Sequence, residues 1–135
     1  MRPLYEAKRD LVNEIEVINK VCFAWSCEAQ KMPISYNLDF ALIRNGQVAA
    51  YAEIKTRSNA RQKYPTAFIA LKKVISAKQF GLPCFLIMQW ADELGYTRLD
   101  RAPDFISMGG RIDRLDSADI EPMAHFKQGD FKKID

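Results

Sequence analysis

Along the first part of the chain, apolar residues recur every three or four positions. Leu11, Ile15, Ile18 and Cys22 follow one another at helical spacing, and Val12 and Val21 widen the stripe. This predicts a helix over residues 4–22, with Pro3 suited to its first turn. Residues 23–37 show no clear period and are predicted to be irregular, Pro33 excluding a central strand around it. Two apolar-rich runs then flank Asn45-Gly46, Leu38 to Ile43 and Gln47 to Lys55, which is the pattern of a β-hairpin. Beyond a polar loop from Arg57 to Tyr64, Thr66 is placed to cap a helix running to Phe80 and ended by Gly81, with Pro83 just after it. Cys84 to Trp90 is continuously apolar, as expected of a strand covered on both faces. Gly95 to Leu99 would return as an edge strand, and a short strand is expected near Met123 to Phe126.

These elements predict an α/β fold with a mixed central β-sheet flanked by helices. At 135 residues the chain reads as a single domain, 1–135, with a core of about 4–100 and a C-terminal extension over 101–135. No apolar run approaches the ~18 residues of a membrane span, and the first residues lack the apolar stretch of a signal peptide. A cytoplasmic location is expected, as the odd number of scattered cysteines also suits a reducing compartment. Three cysteines, Cys22, Cys27 and Cys84, without metal-ligand spacing read as core thiols.

The register of the hairpin decides which side chains share a face. A two-residue turn with simple pairing would set Arg44 against Gln47 and mix Glu53 into an apolar face. A three-residue loop, Arg44-Asn45-Gly46, pairs Ile43 with Gln47 and Asp39 with Tyr51 instead. It gathers Leu38, Phe40, Leu42, Val48, Ala50, Ala52 and Ile54 on one side. The hydrophobic pattern favours this second form. Asp39 and Glu53 then become diagonal cross-strand neighbours on the opposite face, with Lys55 two residues along.

Charge sharpens the picture. Residues 55–91 carry seven basic side chains (Lys55, Arg57, Arg61, Lys63, Lys72, Lys73 and Lys78) and no acid, while the flanking segments are near neutral or acidic. Such a block suits a polyanion, and Tyr64 beside it could stack on a base. The predicted nucleic-acid contacts are Arg57, Arg61, Lys63, Tyr64, Lys72 and Lys73. Two adjacent carboxylates either share a proton or hold a cation, and with only His125 in the chain, hard oxygen donors favour Mg2+ or Mn2+ over zinc. The acids Asp113, Asp116, Asp119 and Glu121 lack calcium-loop spacing and read as a solvated loop, and His125 reads as structural.

Asp39 followed by Glu53-Ile54-Lys55 on the next strand, after one helix and before another helix and two strands, resembles the PD-(D/E)XK nuclease superfamily over about residues 4–100. Its compact members include Holliday-junction resolvases and phage- or virus-type nucleases. The resemblance implies a restriction-endonuclease-like core (α-β-β-β-α-β-β order) and a Mg2+- or Mn2+-dependent endonuclease that hydrolyses phosphodiester bonds in DNA. Branched or junction DNA is a candidate substrate, and recombination or repair a candidate setting. It implies catalytic roles for Asp39, Glu53 and Lys55, with the metal held by Asp39, Glu53 and the Ile54 carbonyl. Glu14 is the best match to the first-helix acid of many members, ahead of Glu6 and Glu16. Lys72 is the choice, over Lys73 and Gln79, for the basic or amide residue on the following helix. Leu38 stands where many members have proline. Acid-x-Lys occurs three times in the chain, at Glu6, Glu53 and Asp130, and only Glu53 falls on a predicted central strand. A homodimer is plausible for cutting both strands. The alternative is a non-catalytic nucleic-acid-binding or scaffold module on the same fold.

Overall fold

The computed structural model describes residues 8–110 and 120–135, with side chains over 13–109 and 120–135. Glu6, Pro3, the side chains of Leu11 and Val12, and the stretch with Asp113, Asp116 and Asp119 lie outside the described residues. Chain order is α1 (Lys8–Trp25), β1 (Glu28–Lys31), β2 (Phe40–Arg44), β3 (Gln47–Thr56), β4 (Thr66–Ala70), α2 (Leu71–Lys78), β5 (Cys84–Gln89), β6 (Leu94–Arg98), β7 (Phe105–Gly110), β8 (Ile120–Lys127) and β9 (Lys132–Lys133). Six strands form the central sheet in the order β1-β2-β3-β5-β6-β9. It is mixed: β3 and β5 run parallel, and every other pair is antiparallel. This is the restriction-endonuclease-like core expected from the sequence. No helix among the described residues is long and apolar enough to cross a membrane.

The sheet buries both faces. On one, Val17, Ile18 and Val21 of α1 pack over Phe40, Leu42, Ala50, Ala52, Ile54 and Ile87. The buried stripe is rotated from the predicted one, since Ile15 is exposed. On the other face, Leu86, Met88 and Trp90 pack against Val74 and Ala77 of α2 and against Ile69, Ala124 and Phe126. The last three belong to a second, three-stranded antiparallel sheet, β4-β8-β7. That layer was not predicted.

Four expectations are corrected. Residues 28–31 form β1, paired with β2, where irregular chain was expected; Pro33 lies just beyond its end. Residues 66–70 are strand, not helix: Ala67 and Ile69 are buried while Phe68 is exposed, the period of two that a strand imposes. α2 is therefore confined to Leu71–Lys78, and Thr66 does not cap it. Strand β2 begins at Phe40, and Leu38 packs with the opposite cluster from Phe40. Residues 105–110 and 120–133 join the two sheets: β8 lies between β4 and β7, β9 pairs with β6, and Phe126 is fully buried.

The hairpin register is the fourth correction. Asn45 and Gly46 both have positive φ, +54° and +75°, so the turn is a two-residue one with Arg44 opposite Gln47 and Ile43 opposite Val48. A bulge then shifts the pairing, giving Leu42 opposite Ala50 and Phe40 opposite Ala52. Val48, on the turn side of the bulge, is exposed rather than part of the apolar face.

Candidate active site

Asp39 precedes β2 at its junction with β3. Its backbone N–H donates to Ala52 O (3.1 Å), and its carboxylate accepts from the backbone N–H of Ile54 (2.8 Å). These two contacts bracket Glu53 from either side in the chain. Glu53 itself is 2% exposed, the one buried acid among the described residues. Each of its carboxylate oxygens faces an ammonium: Lys73 Nζ lies 3.4 Å from Oε1 and Lys55 Nζ 3.6 Å from Oε2. Burial, and next the negative charge of Asp39, push the Glu53 carboxyl up to about 7 against the opposing pull of Lys55 and Lys73. The two ammoniums thus fail to compensate fully for desolvation beside a second carboxylate.

The parallel pairing of β3 with β5 explains this burial. Glu53 stands opposite Leu86 and Lys55 opposite Met88, so both project to the side covered by α2 and the small sheet. Lys73, in the first turn of α2, approaches from that layer. Lys72, the residue favoured from sequence, is exposed, on the same helix face as the exposed Ile75. Its selection rested on a helix face shared with Phe68 and Ile75, whereas Phe68 is on a strand and both are exposed.

Lys31 was missed because β1 was missed. Its ammonium lies 3.0 Å from Glu14 and 3.6 Å from Asp39, joining the first helix to the acid pair. Glu14 therefore reaches the site's edge through Lys31. Among the described residues no three His, Cys, Asp or Glu side chains converge on one point, so Glu14 does not complete a carboxylate trio. Asp39, Glu53 and the Ile54 carbonyl remain a set of hard oxygen donors, the chemistry that suits Mg2+ or Mn2+ bound through one or two carboxylates with water filling the other positions.

The basic residues divide by role. Arg61 is committed to the fold: it forms an ion pair with Glu93, and its guanidinium donates to Gln128 Oε1 (3.0 Å), Gln128 O (2.8 Å) and Phe131 O (2.6 Å). It holds the C-terminal strand segment down over Trp90, 5.5 Å from the indole centroid. Arg57 is half-buried over Phe68, and burial lowers its guanidinium below the usual range. Lys63 and Tyr64 are exposed side by side, with the ammonium 5.5 Å from the ring. Cys84 is buried, Cys22 half-buried, and burial pushes both thiols up to about 12, which makes them poor nucleophiles.

A mixed sheet carrying an aspartate at the mouth of one strand, a buried Glu-x-Lys on the next and a lysine from the following helix defines a restriction-endonuclease-like nuclease domain. The chain belongs to the family described as Phage putative PDDEXK endonuclease, whose model matches residues 1–134. That match takes in the last third of the chain, which by sequence reading alone resembled nothing further. No curated protein matches the chain.

Proposed function

We propose that this protein is a divalent-metal-dependent endonuclease that hydrolyses phosphodiester bonds in DNA. The observation that carries the reading is the buried Glu53, set beside Asp39 and flanked by Lys55 and Lys73 on its two oxygens. A carboxylate desolvated next to another is stabilised by a cation more than by two partly exposed ammoniums.

In this reading Asp39, Glu53 and the Ile54 carbonyl hold Mg2+ or Mn2+. The ion, when bound, lowers the pKa of a water and polarises the scissile phosphate. Asp39 is oriented for this by the Ile54 N–H, which fixes one carboxylate oxygen. Lys55, paired with Glu53 in the cation-free protein, would turn its ammonium to a phosphate oxygen and stabilise the charge there. Lys73 supplies a second positive charge from the opposite layer, and it also restrains Glu53 in the cation-free protein. Lys63 and Tyr64, both exposed, and the half-buried Arg57 are the candidates for contacts along the DNA. Arg61 is not among them, because its donors are already used.

Cleavage of supercoiled, single-stranded and branched DNA, with Mg2+, Mn2+ or EDTA, tests the proposal. Cutting should require the metal, and Glu53→Ala should abolish it while DNA binding persists. Binding without cutting under any metal would instead assign a non-catalytic nucleic-acid-binding module.

A further inference from the structure

Strand β1 lies at one edge of the six-stranded sheet and ends on Lys31. A lysine on an edge strand ordinarily stands in solvent and discourages pairing with another chain. Lys31 is instead drawn inward. It sits opposite Phe40 in the register, with its ammonium 5.0 Å from the centroid of that ring. The following backbone N–H, of Met32, donates to Asp39 O (2.8 Å), so the main chain fixes Lys31 against the segment that carries Asp39. Its Nζ lies 3.0 Å from Glu14 Oε2 and 3.6 Å from Asp39 Oδ1. Lys31, Glu14 and Asp39 side chains are 32%, 16% and 13% exposed, so salt screens these contacts less than it would a surface pair.

Asp39 is therefore engaged at both oxygens. Oδ2 accepts from the Ile54 N–H, and Oδ1 faces Lys31. It also has a carboxylate to each side, Glu53 beside it and Glu14 across Lys31. Lys31 reaches it from the side of the sheet where Phe40 packs with α1, the helix that carries Glu14. Lys55 and Lys73 meet Glu53 on the α2 side. We infer that Lys31 takes the place of a second divalent ion, so that this site works with one ion and a built-in ammonium; the inference rests on the metal-dependent nuclease reading above.

Where two ions serve phosphodiester hydrolysis, they lie ~3.5–4 Å apart and stabilise the attacking and leaving oxygens between them. A second ion here would need Asp39 together with Glu14, and those two carboxylates already hold an ammonium. It would displace Lys31 from both and leave that charge stranded beside the two ions. Charge points the same way. The ion pairs of the site join three carboxylates, Glu14, Asp39 and Glu53, to three ammoniums, Lys31, Lys55 and Lys73. One divalent ion added to that balance leaves two positive charges in excess, matched to the scissile phosphate and one neighbour. A second ion would double the excess. Lys31 supplies positive charge to the developing oxyanion without activating water, a task that stays with the single ion.

The experiment is calorimetric titration of the full chain with Mn2+, without DNA. The wild type should take up a single ion per chain. Lys31→Met keeps an unbranched stem and removes the charge, and a thermal melt shows whether it folds. It should bind its first ion about tenfold more tightly, because a like charge nearby is gone, and then take up a second, weaker ion. Adding Glu14→Gln to Lys31→Met should return the count to a single ion, and Lys31→Arg should behave as wild type. Two ions in the wild type, or a single ion in folded Lys31→Met, overturns this inference and leaves the nuclease reading standing; the latter result makes Lys31 a clasp between α1 and β1. No ion on the wild type removes the metal-dependent reading, and this inference with it. Where Lys31→Met does not melt cooperatively, the wild-type count decides between one ion, as inferred, and two.

Discussion

The backbone N–H of Ile54 donates to the Asp39 carboxylate at 2.8 Å, so one acid of the site is held by the main chain immediately following the other. The site's geometry is thus built into the strand junction rather than left to flexible side chains. Asp39→Ala should orphan a largely buried N–H, with a cost of about 1–3 kcal/mol in unfolding free energy. Asp39→Asn keeps an acceptor there and should melt close to wild type. Both should lose Mn2+ binding, measured by calorimetric titration, because neither supplies the second negative charge.

Glu53 should make the metal-free protein less stable as pH rises. Its carboxyl is near 4.5 when unfolded and about 7 in the fold. Between those values the folded state holds a proton that the unfolded state has lost, so stability falls as pH rises through the window and levels off above it. The two values correspond to a loss of roughly 3–4 kcal/mol across the window. Urea unfolding as a function of pH should show that slope in the wild type and a flatter one in Glu53→Gln. Bound Mg2+ should also flatten it, with proton release on binding below pH 7.

Lys73 and Lys72 should separate cleanly. Lys73 faces Glu53 across 3.4 Å, whereas Lys72 points to solvent. Lys73→Ala should slow DNA cleavage by about 10²-fold, in the range found when one charge-stabilising donor is removed. Lys72→Ala should change cleavage little and lower the salt dependence of DNA binding only if the helix face meets the backbone. A steady-state plasmid-nicking assay distinguishes them.

Arg61 and Lys63 form the opposite contrast. Arg61→Ala removes a guanidinium that ties Glu93, Gln128 and Phe131 together, and should cost about 2–4 kcal/mol of stability, read as a lower urea midpoint. Lys63→Ala should leave the midpoint unchanged. In DNA binding its effect should be a decrease of about one in the slope of log affinity against log salt.

How far the sequence alone carried this protein is clearest at the hairpin. Alternation of apolar and polar residues along β3 correctly placed Ala50, Ala52 and Ile54 on one face and Tyr51, Glu53 and Lys55 on the other, and with Asp39 it located the acid pair. Alternation has a period of two, so it cannot detect a register error of two residues. The expected three-residue loop set Asp39 against Tyr51. The actual two-residue turn and the bulge beyond it bring Asp39 level with Glu53 while leaving Ala50, Ala52 and Ile54 on the expected face.

What lay beyond that reach depends on contacts distant in the chain. β1 is four residues with no apolar run and exists because β2 offers it an edge, so Lys31 was invisible as a partner of Glu14 and Asp39. Thr66–Ala70 is too short for its period to separate strand from helix, and only pairing with β8, almost sixty residues on, settles it. From that followed the choice of Lys73 over Lys72. Local pattern fixed which residues face inward; it could not fix what they face, because partners for a charge such as Arg61 are set by packing across the whole chain.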